Sequence, residues 1–323
     1  MNLQEYSIVI RTLGTAGCKY KALLDSICKQ SFPPKEIIVV IPHGYELPSE
    51  RLGYENFVRS EKGMVIQRTV GLDAMSTDLG LFLDDDLSFD SEFAKTLIDS
   101  IEKYQADVVF PILPDLLPST LKQKLFSFIT LAAIPFKSKK WYTKIYRNGS
   151  YGYCCGELTE ASYNAMTAPG ACFLARKKSF ESISFEDERW LEKTHYALPD
   201  DQVMFYKFYL CNKTVKGITT CNYIHLDAGG QSNDRAKIAA YSLAKNKMIF
   251  WHRFIYLIDM SKISRCISLV CYVFTLCFKV LILIICSVLG KNHYQKAKEA
   301  IKGIIDGYKF LKTSDYKQLQ KVK

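Results

Sequence analysis

The strongest constraint on the fold is a run of apolar residues that ends in three consecutive carboxylates, within residues 79–90. A short apolar run bounded by Gly80 and an acidic cluster predicts a buried strand that ends at the edge of a sheet. Three adjacent carboxylates repel one another, and their hard oxygen atoms suit a divalent cation such as Mg²⁺ or Mn²⁺. Residues 91–101 then have the apolar spacing of a helix, with Asp90 or Ser91 as its N-cap. Strand, acidic loop and helix in this order predict a ligand site at the carboxyl end of the strand.

The acidic loop has other possible functions, which are calcium binding and phosphatase chemistry. A calcium-binding EF-hand loop that began at Asp84 requires glycine at position 89 and glutamate at position 95, and the chain has Phe89 and Lys95 there. That interpretation is excluded. The Asp-x-Asp-x-Ser order is also found in haloacid-dehalogenase-like phosphatases, in which the first aspartate is the nucleophile. Those enzymes carry it on their first strand, whereas sheet-like sequence begins here at Tyr6. Metal binding is therefore favoured, and the phosphatase and a plain solvated acidic turn stay as alternatives.

Length and composition predict a globular protein with a sizeable core. The chain has 323 residues, of which 48% are apolar and 24% are charged. Its eleven cysteines lack the paired spacing of a metal site and lie largely in apolar segments, which is typical of reduced thiols in a cytosolic protein. A strand begins almost at once after Met1, so no signal peptide is expected.

The positive charge is concentrated at one end, beside an apolar segment. The net charge is +10, and residues 291–323 hold nine lysines against three acidic residues. This distribution favours a membrane surface over nucleic acid. Residues 266–289 are apolar for long enough to span about 30 Å, but Lys279 in their middle is costly at a bilayer centre. We therefore expect peripheral or monotopic attachment. The alternative is a helix that packs on the catalytic domain or on a second subunit, which leaves oligomer formation open.

The N-terminal third reads as a β-α-β unit. Residues 6–10 and 36–41 predict strands, and residues 20–30 between them have helical periodicity that ends before Pro33-Pro34. Such a unit has parallel strands with a right-handed crossover. The chain contains neither a Gly-x-Gly-x-x-Gly fingerprint nor a Walker phosphate loop, so dinucleotide oxidoreduction and P-loop hydrolysis have no support.

Several segments together resemble the family-2 glycosyltransferases with the GT-A fold. They are Ser7–Ile10, the spaced set Leu24, Ile27, Gln30 and Pro33, Glu36–Val40, Arg68–Leu72, and the Asp-x-Asp sequence of Asp84 to Asp86. The resemblance covers about residues 6 to 255. It implies an α/β fold with a Rossmann-like, mostly parallel central sheet flanked by helices, and a nucleotide-sugar donor bound with Mg²⁺ or Mn²⁺.

The resemblance also implies roles for individual residues. Asp84 would contact the ribose of the donor, Asp86 would hold the metal that bridges the diphosphate, and Arg68 would lie near the phosphates. His225 matches a late histidine that some GT-A enzymes use as a further metal ligand. The implied donor-site residues are Thr12, Arg11, Arg68, Asp84, Asp85, Gly170 and Ala171, and the implied metal ligands are Asp86, Asp84 and His225. For Arg11 and Arg68 a structural ion pair is the alternative, for Gly170 a plain turn, and for His225 a hydrogen-bonded core position.

A second acidic pair, Asp200-Asp201, opens a predicted helix. Carboxylates at a helix N-terminus complement the dipole and cap amides, but two adjacent ones exceed what a cap requires. The pair resembles the family's Glu-Asp motif, so Asp201 would be the general base and Asp200 would orient the acceptor. Inversion at a sugar carbon is a single displacement, which requires a base and no nucleophile on the protein.

The chain departs from the family pattern where the nucleobase is usually read. Residues 41–44 replace the usual Asp-Asp-Gly-Ser, so the sequence does not name the donor. No Gln-x-x-Arg-Trp motif of processive synthases follows, which predicts one sugar added per encounter.

The predicted organisation is a catalytic domain over residues 1–255, with residues 113–165 as an insertion on the acceptor side, and a C-terminal appendage of hydrophobic and amphipathic helices over residues 256–323. The predicted function is inverting sugar transfer to a hydroxyl of a membrane-linked glycan or lipid, in cell-surface polysaccharide synthesis. The predicted location is the cytoplasmic face of the bacterial inner membrane. The alternatives are the phosphatase and a catalytically silent membrane-associated scaffold of the same fold.

Overall fold

The computed structural model describes residues 4–132, 140–154, 157–226, 233–259, 261–288 and 291–322. The strands are β1 Tyr6–Arg11, β2 Glu36–Pro42, β3 Asn56–Ser60, β4 Leu79–Asp84, β5 Leu87–Phe89, β6 Val108–Pro111, β7 Trp141–Ile145, β8 Tyr151–Tyr153, β9 Ser162–Ala165, β10 Cys172–Arg176, β11 Val215–Ile218 and β12 Tyr223–His225. The helices are α1 Cys18–Cys28, α2 Met64–Ala74, α3 Phe93–Lys103, α4 Leu121–Ile129, α5 Lys177–Glu181, α6 Asp200–Leu210, α7 Asn233–Trp251, α8 Lys262–Ser287, α9 Lys291–Phe310 and α10 Ser314–Lys317.

Ten strands form one central sheet in the order β3-β2-β1-β4-β10-β6-β11-β9-β7-β8. The half that contains β3, β2, β1 and β4 is parallel, as the β-α-β pattern predicts. Strand β10 runs antiparallel between β4 and β6. In the register of β1 with β4, Arg11 lies beside Asp84, so the two residues end neighbouring strands at one edge of the sheet.

Apolar side chains cover both faces of the central strands, which explains why β1, β2 and β4 are nearly continuous apolar runs in the sequence. In β4, Leu81 and Leu83 belong to one core, and Phe82 belongs to the other. This alternation follows from the two-residue period of a strand. Phe82 stacks on Phe173 of β10 with 4.9 Å between ring centres. The packing on both faces fixes the end of β4 and thereby the position of the acidic loop that follows.

A separate two-stranded sheet joins β5, directly after the acidic loop, to β12. His225 pairs with Leu87, and the amide of Leu226 donates a 2.8 Å hydrogen bond to the carbonyl of Asp86. This small sheet brings a late segment of the chain to the acidic loop.

The sequence predicts the segment 113–165 as an insertion. In the structure this segment also contributes strands to the central sheet. Its residues 133–139 and 155–156 lie outside the described part, but β7, β8 and β9 extend the edge of the central sheet. Tyr142 and Tyr163 are fully buried in the core. The reason is that the aromatic side chains of these short strands complete one face of the sheet.

The C-terminal helices pack back on the rest of the chain. Helix α9 packs along α7 so closely that a side chain on Gly303 would meet the carbonyl oxygen of Tyr241 at 2.4 Å. A π-helical turn, His252–Tyr256, continues α7 across the predicted domain boundary. In that turn Arg253 binds the buried carboxylate of Glu188.

Among the described residues, α8 is the one helix long and apolar enough to cross a membrane, and few of its residues are fully buried in the protein. Lys279, in the middle of this helix, lies with its Nζ atom 3.3 Å from the Oγ atom of Ser150. The lysine therefore faces the catalytic region and does not extend along the helix toward a headgroup layer. Residues 289 and 290, at the end of the predicted apolar segment, lie outside the described part.

Candidate active site

Two arginines connect the two acidic segments that the sequence singles out. The Nε atom of Arg11 donates a 2.6 Å hydrogen bond to Asp84, and its Nη1 atom lies 3.7 Å from Asp200. Arg68, on α2, also binds Asp200, and its Nη2 atom donates a 3.0 Å hydrogen bond to the carbonyl of Gly170. A continuous polar network therefore runs from the end of β4 to the start of α6.

The centre of this network is buried. Asp200 and Arg68 are 2% and 3% exposed. Charges can be buried in this way only when they are paired and hydrogen-bonded. Burial alone would lower the pKa of Arg11, but the charges of Asp84 and Asp200 outweigh it and raise that pKa. The Nη1 atom of Arg11 is buried and forms no hydrogen bond within the described residues, so it is still able to donate one to a ligand.

Asp200 is surrounded by cations. Its carboxylate faces the guanidinium groups of Arg11 and Arg68 and holds them in place. The sequence could not show this, because Arg68 lies 132 residues earlier in the chain.

Asp201, the next residue, stays partly accessible to solvent. One of its oxygens accepts a 2.7 Å hydrogen bond from the amide of Gln202. Burial, and then the neighbouring charge of Asp200, raise the pKa of Asp201 to about 6. A carboxylate with this pKa is ionised at neutral pH and is a better proton acceptor than an ordinary aspartate.

Gly170 lies between the two halves of the site. A side chain there would come within 2.7 Å of Arg68 Nη2 and within 2.8 Å of the Cβ atom of Asp201. The next residue, Ala171, accepts a 2.9 Å hydrogen bond from the amide of Asp84. The small residues of this turn thus let the acidic loop, Arg68 and Asp201 approach one another.

The middle carboxylate of the acidic loop is held by the end of β1. The hydroxyl group of Thr12 donates a 2.5 Å hydrogen bond to Asp85 and accepts one of 2.8 Å from the amide of Gly14. Burial raises the pKa of Asp85 to about 6. These contacts fix the conformation of the acidic loop.

Asp86 and His225 are brought together by the small sheet, with 3.4 Å between Oδ1 and Nε2. Asp86 is buried, whereas His225 is exposed. Mg²⁺ and similar ions are held by one or two protein ligands together with water and substrate phosphates, so this pair fits such an ion. Asp84, the third predicted ligand, binds Arg11, and the described residues contain no group of three His, Cys, Asp or Glu side chains placed to hold a metal.

Further residues near Asp201 were missed by the sequence analysis. Burial raises the pKa of Tyr151, and the charge of Asp201 raises it further. The pKa of Tyr153 is raised by burial and by the neighbouring Tyr151 and Tyr142, and to a lesser extent by Asp201. The charge of Asp201 also raises the pKa of Lys247 on α7. Lys245, two residues earlier in this helix, lies over the ring of Phe310. No local signal distinguishes these two lysines.

Comparisons with known proteins show the family and the fold of the chain. Residues 7–183 match the family model of glycosyl transferase family 2. The crystal structure of GalNAc-T7 with UDP, GalNAc and Mn²⁺ superposes with a TM-score of 0.51 at 13% identity, covering 79% of this chain and 50% of that one. The chain thus spans about half the length of GalNAc-T7. Residues 1–349 of Staphylococcus aureus TarS give a TM-score of 0.45 at 14% identity, with 98% and 92% of the two chains covered. No curated protein sequence matches the chain. The predicted family and the predicted GT-A fold are confirmed.

Proposed function

Because the chain belongs to glycosyl transferase family 2, we propose that it moves a sugar from a nucleotide-sugar donor to a hydroxyl group of a membrane-linked glycan or lipid, with inversion at the anomeric carbon. The family implies the donor class and a glycan acceptor. One observation supports direct transfer between donor and acceptor. The network of Arg11, Asp200 and Arg68 joins Asp84 on the donor side to the segment that carries Asp201. Transfer needs both sides in one site, since the donor and the acceptor hydroxyl must meet there.

On the donor side, the ends of β1 and β4 form the floor. Asp84 and Thr12 would contact the nucleoside, with Asp85 fixing the loop. The Nη1 atom of Arg11, which lies near Asp200 but donates no hydrogen bond within the described residues, is suited to a phosphate or to the base. Asp86 and His225 would hold Mg²⁺ or Mn²⁺, which when bound neutralises charge on the diphosphate.

On the acceptor side, Asp201 would act as the general base. Its carboxylate takes the proton of the acceptor hydroxyl while that oxygen forms a bond to the anomeric carbon. The bond from that carbon to the diphosphate breaks in the same step, and the diphosphate leaves with the electron pair. Asp200 is a positioning residue, because it holds Arg68 against the carbonyl of Gly170.

We also propose that the enzyme works at a membrane, in cell-surface polysaccharide synthesis at the cytoplasmic face of the bacterial inner membrane. The support is the exposed apolar helix α8 and the nine lysines of residues 291–323. An apolar helix beside clustered lysines is suited to an anionic lipid surface. We favour peripheral or monotopic attachment, because Lys279 in the middle of α8 is directed to Ser150 of the protein, so one side of this helix packs on the protein and not on lipid.

A thermal-shift screen tests the proposed donor class. The full chain is heated with UDP, GDP, dTDP or CMP, each with and without Mn²⁺. We expect at least one nucleotide to raise Tm by a few degrees only when Mn²⁺ is present, because a ligand at about 100 times its Kd adds about 2.7 kcal/mol to the stability of the folded state.

Two outcomes would contradict the proposal. The absence of a Mn²⁺-dependent shift with every nucleotide would favour the silent scaffold. Hydrolysis of a phosphate monoester with a trapped phosphate on Asp84 would favour the phosphatase, although the family match covers the segment that carries Asp84.

A further inference from the structure

A cavity of about 620 Å³ opens beside the proposed base, outside the donor site. One wall is α4 with the turn that precedes it, and the other is formed by residues 150–153, by Lys247 of α7 and by Lys279 of α8. Its volume is within the range of sites for small-molecule ligands, about 300–1,000 Å³. It combines segments from the sheet edge and from the C-terminal helices.

Lys247 and Lys279 bring two positive charges to this cavity. In the described part of the chain their contacts are with neutral groups: Lys279 Nζ lies 3.3 Å from Ser150 Oγ, and Lys247 Nζ lies 5.3 Å from the centre of the Tyr151 ring. Burial and then the charge of Lys279 lower the pKa of Lys247 to about 8. Two like charges that face one partly desolvated space are relieved when an anion binds between them.

The charged groups around these lysines are few. The negative charge of Asp201, the proposed base, raises the pKa of Lys247 and so partly offsets this lowering. Asp115 and Lys122 also line the cavity, but both are exposed at its rim. The lysines therefore provide most of the charge in the interior of the cavity.

The opposite part of the lining is apolar. Leu117, Phe126 and Ala132 line it, and the ring of Phe126 lies 6.3 Å from that of Phe278 on α8. Just outside, α4 exposes further large apolar side chains, namely Leu121, Leu125 and Phe128. An anion site that opens onto exposed apolar helices is suited to an amphiphile with a charged head and a hydrocarbon chain.

We propose that this cavity holds the phosphate group of a phosphate-linked or diphosphate-linked lipid acceptor. Lys247 and Lys279 bind its phosphate oxygens, and α4 and α8 receive its apolar chain. The acceptor hydroxyl then lies on the side of Asp201. This inference rests on the proposed function, since it names the acceptor class for the same site. It also explains a lysine in the middle of an apolar helix: α8 contributes a ligand as well as an attachment surface.

Calorimetric titration of the full chain in a non-ionic detergent tests the inference with three probes: decyl phosphate, inorganic phosphate and decanol. We expect decyl phosphate to bind more tightly than either of the others. Lys247→Met and Lys279→Met are each expected to weaken decyl phosphate binding about tenfold or more, because each removes a charged hydrogen-bond donor. Lys298→Met, at an exposed lysine of α9, is the matched control and should bind as the wild type does.

The outcomes separate this inference from the proposed function. Unchanged decyl phosphate binding in both cavity variants would overturn the inference, and the Mn²⁺-dependent nucleotide shift, measured on the same samples, reports the donor site independently. Equal affinity for inorganic phosphate and decyl phosphate would show that the cavity serves a free anion and would overturn the lipid acceptor. If a methionine variant fails to fold, Lys279→Arg replaces it. This variant keeps the charge and is expected to retain most of the affinity, and a loss as large as that expected for methionine would contradict the charge-based explanation.

Discussion

Replacing Asp201 with asparagine is expected to lower the rate of sugar transfer by about 10²–10⁴-fold, the usual contribution of a general base. Asparagine has the same shape and can still accept the hydrogen bond from the Gln202 amide, but it cannot take a proton at neutral pH. Donor affinity should change little, because Arg11, Asp84 and Asp86 are untouched. The measurement is kcat with the matching donor and acceptor, together with the affinity for the nucleoside diphosphate.

The pH dependence of transfer provides a second measure of the same residue. The raised pKa of Asp201, about 6, means that the carboxylate is protonated and inactive below that pH. For the wild type, kcat/KM, which reports the pKa values of the free enzyme, should therefore fall about tenfold per pH unit below pH 6 and level off above it. This slope should be absent from the residual activity of the variant. Asp99→Asn, at an exposed carboxylate of α3, is the matched control. Wild-type transfer rates in Asp201→Asn would remove the residue from its assigned role.

Replacing Asp86 with asparagine is expected to have the second largest effect, on the metal-dependent binding of the donor. Asp86 is the buried carboxylate of the proposed metal-binding pair, and His225 is the other member. The substitution removes the negative charge and leaves His225 as the remaining proposed ligand of the pair. Even residues behind the ligands of a metal site are typically worth about 10–100-fold in affinity, so we expect at least about 100-fold here. The measurement is the Mn²⁺ concentration that gives half of the nucleotide-dependent thermal shift.

The control for this variant is Asp90→Asn, because Asp90 is an exposed carboxylate a few residues further along the chain. It should keep the wild-type response to Mn²⁺. His225→Ala should weaken the response less than Asp86→Asn does, since the carboxylate remains. An unchanged response in Asp86→Asn would place the metal elsewhere, and Asp84→Asn would then be the next variant to test.

Much of the donor half of the fold follows from local sequence. The apolar runs of β1, β2 and β4 and the spacing in α1 are strong signals, because strands buried on both faces and helices buried on one have distinct periods. The parallel arrangement of β1 with β4 then brings Arg11 beside Asp84. The position of the acidic loop at the end of a strand follows in the same way.

The other parts of the fold and of the candidate site depend on contacts between segments that are distant in the sequence. The burial of Asp200 between Arg11 and Arg68 could not be derived, because a carboxylate at the start of a helix has the same local sequence whether it caps the helix or binds a distant arginine. The contribution of β7 to β9 to the central sheet was missed, because short strands with mixed side chains have weak periodicity. The direction of Lys279 toward Ser150 also depends on tertiary packing.

The configuration of the released sugar tests the proposed single displacement most directly. With an α-linked nucleotide sugar as donor and water as acceptor, proton NMR follows the first anomer released before mutarotation mixes the two forms. Direct attack assisted by Asp201 predicts that the β-anomer appears first, and that Asp201→Asn slows its appearance. Initial release of the α-anomer would mean net retention, by two successive displacements or by attack from the face of the leaving diphosphate, and would contradict the assignment of Asp201 as the general base of an inverting transfer.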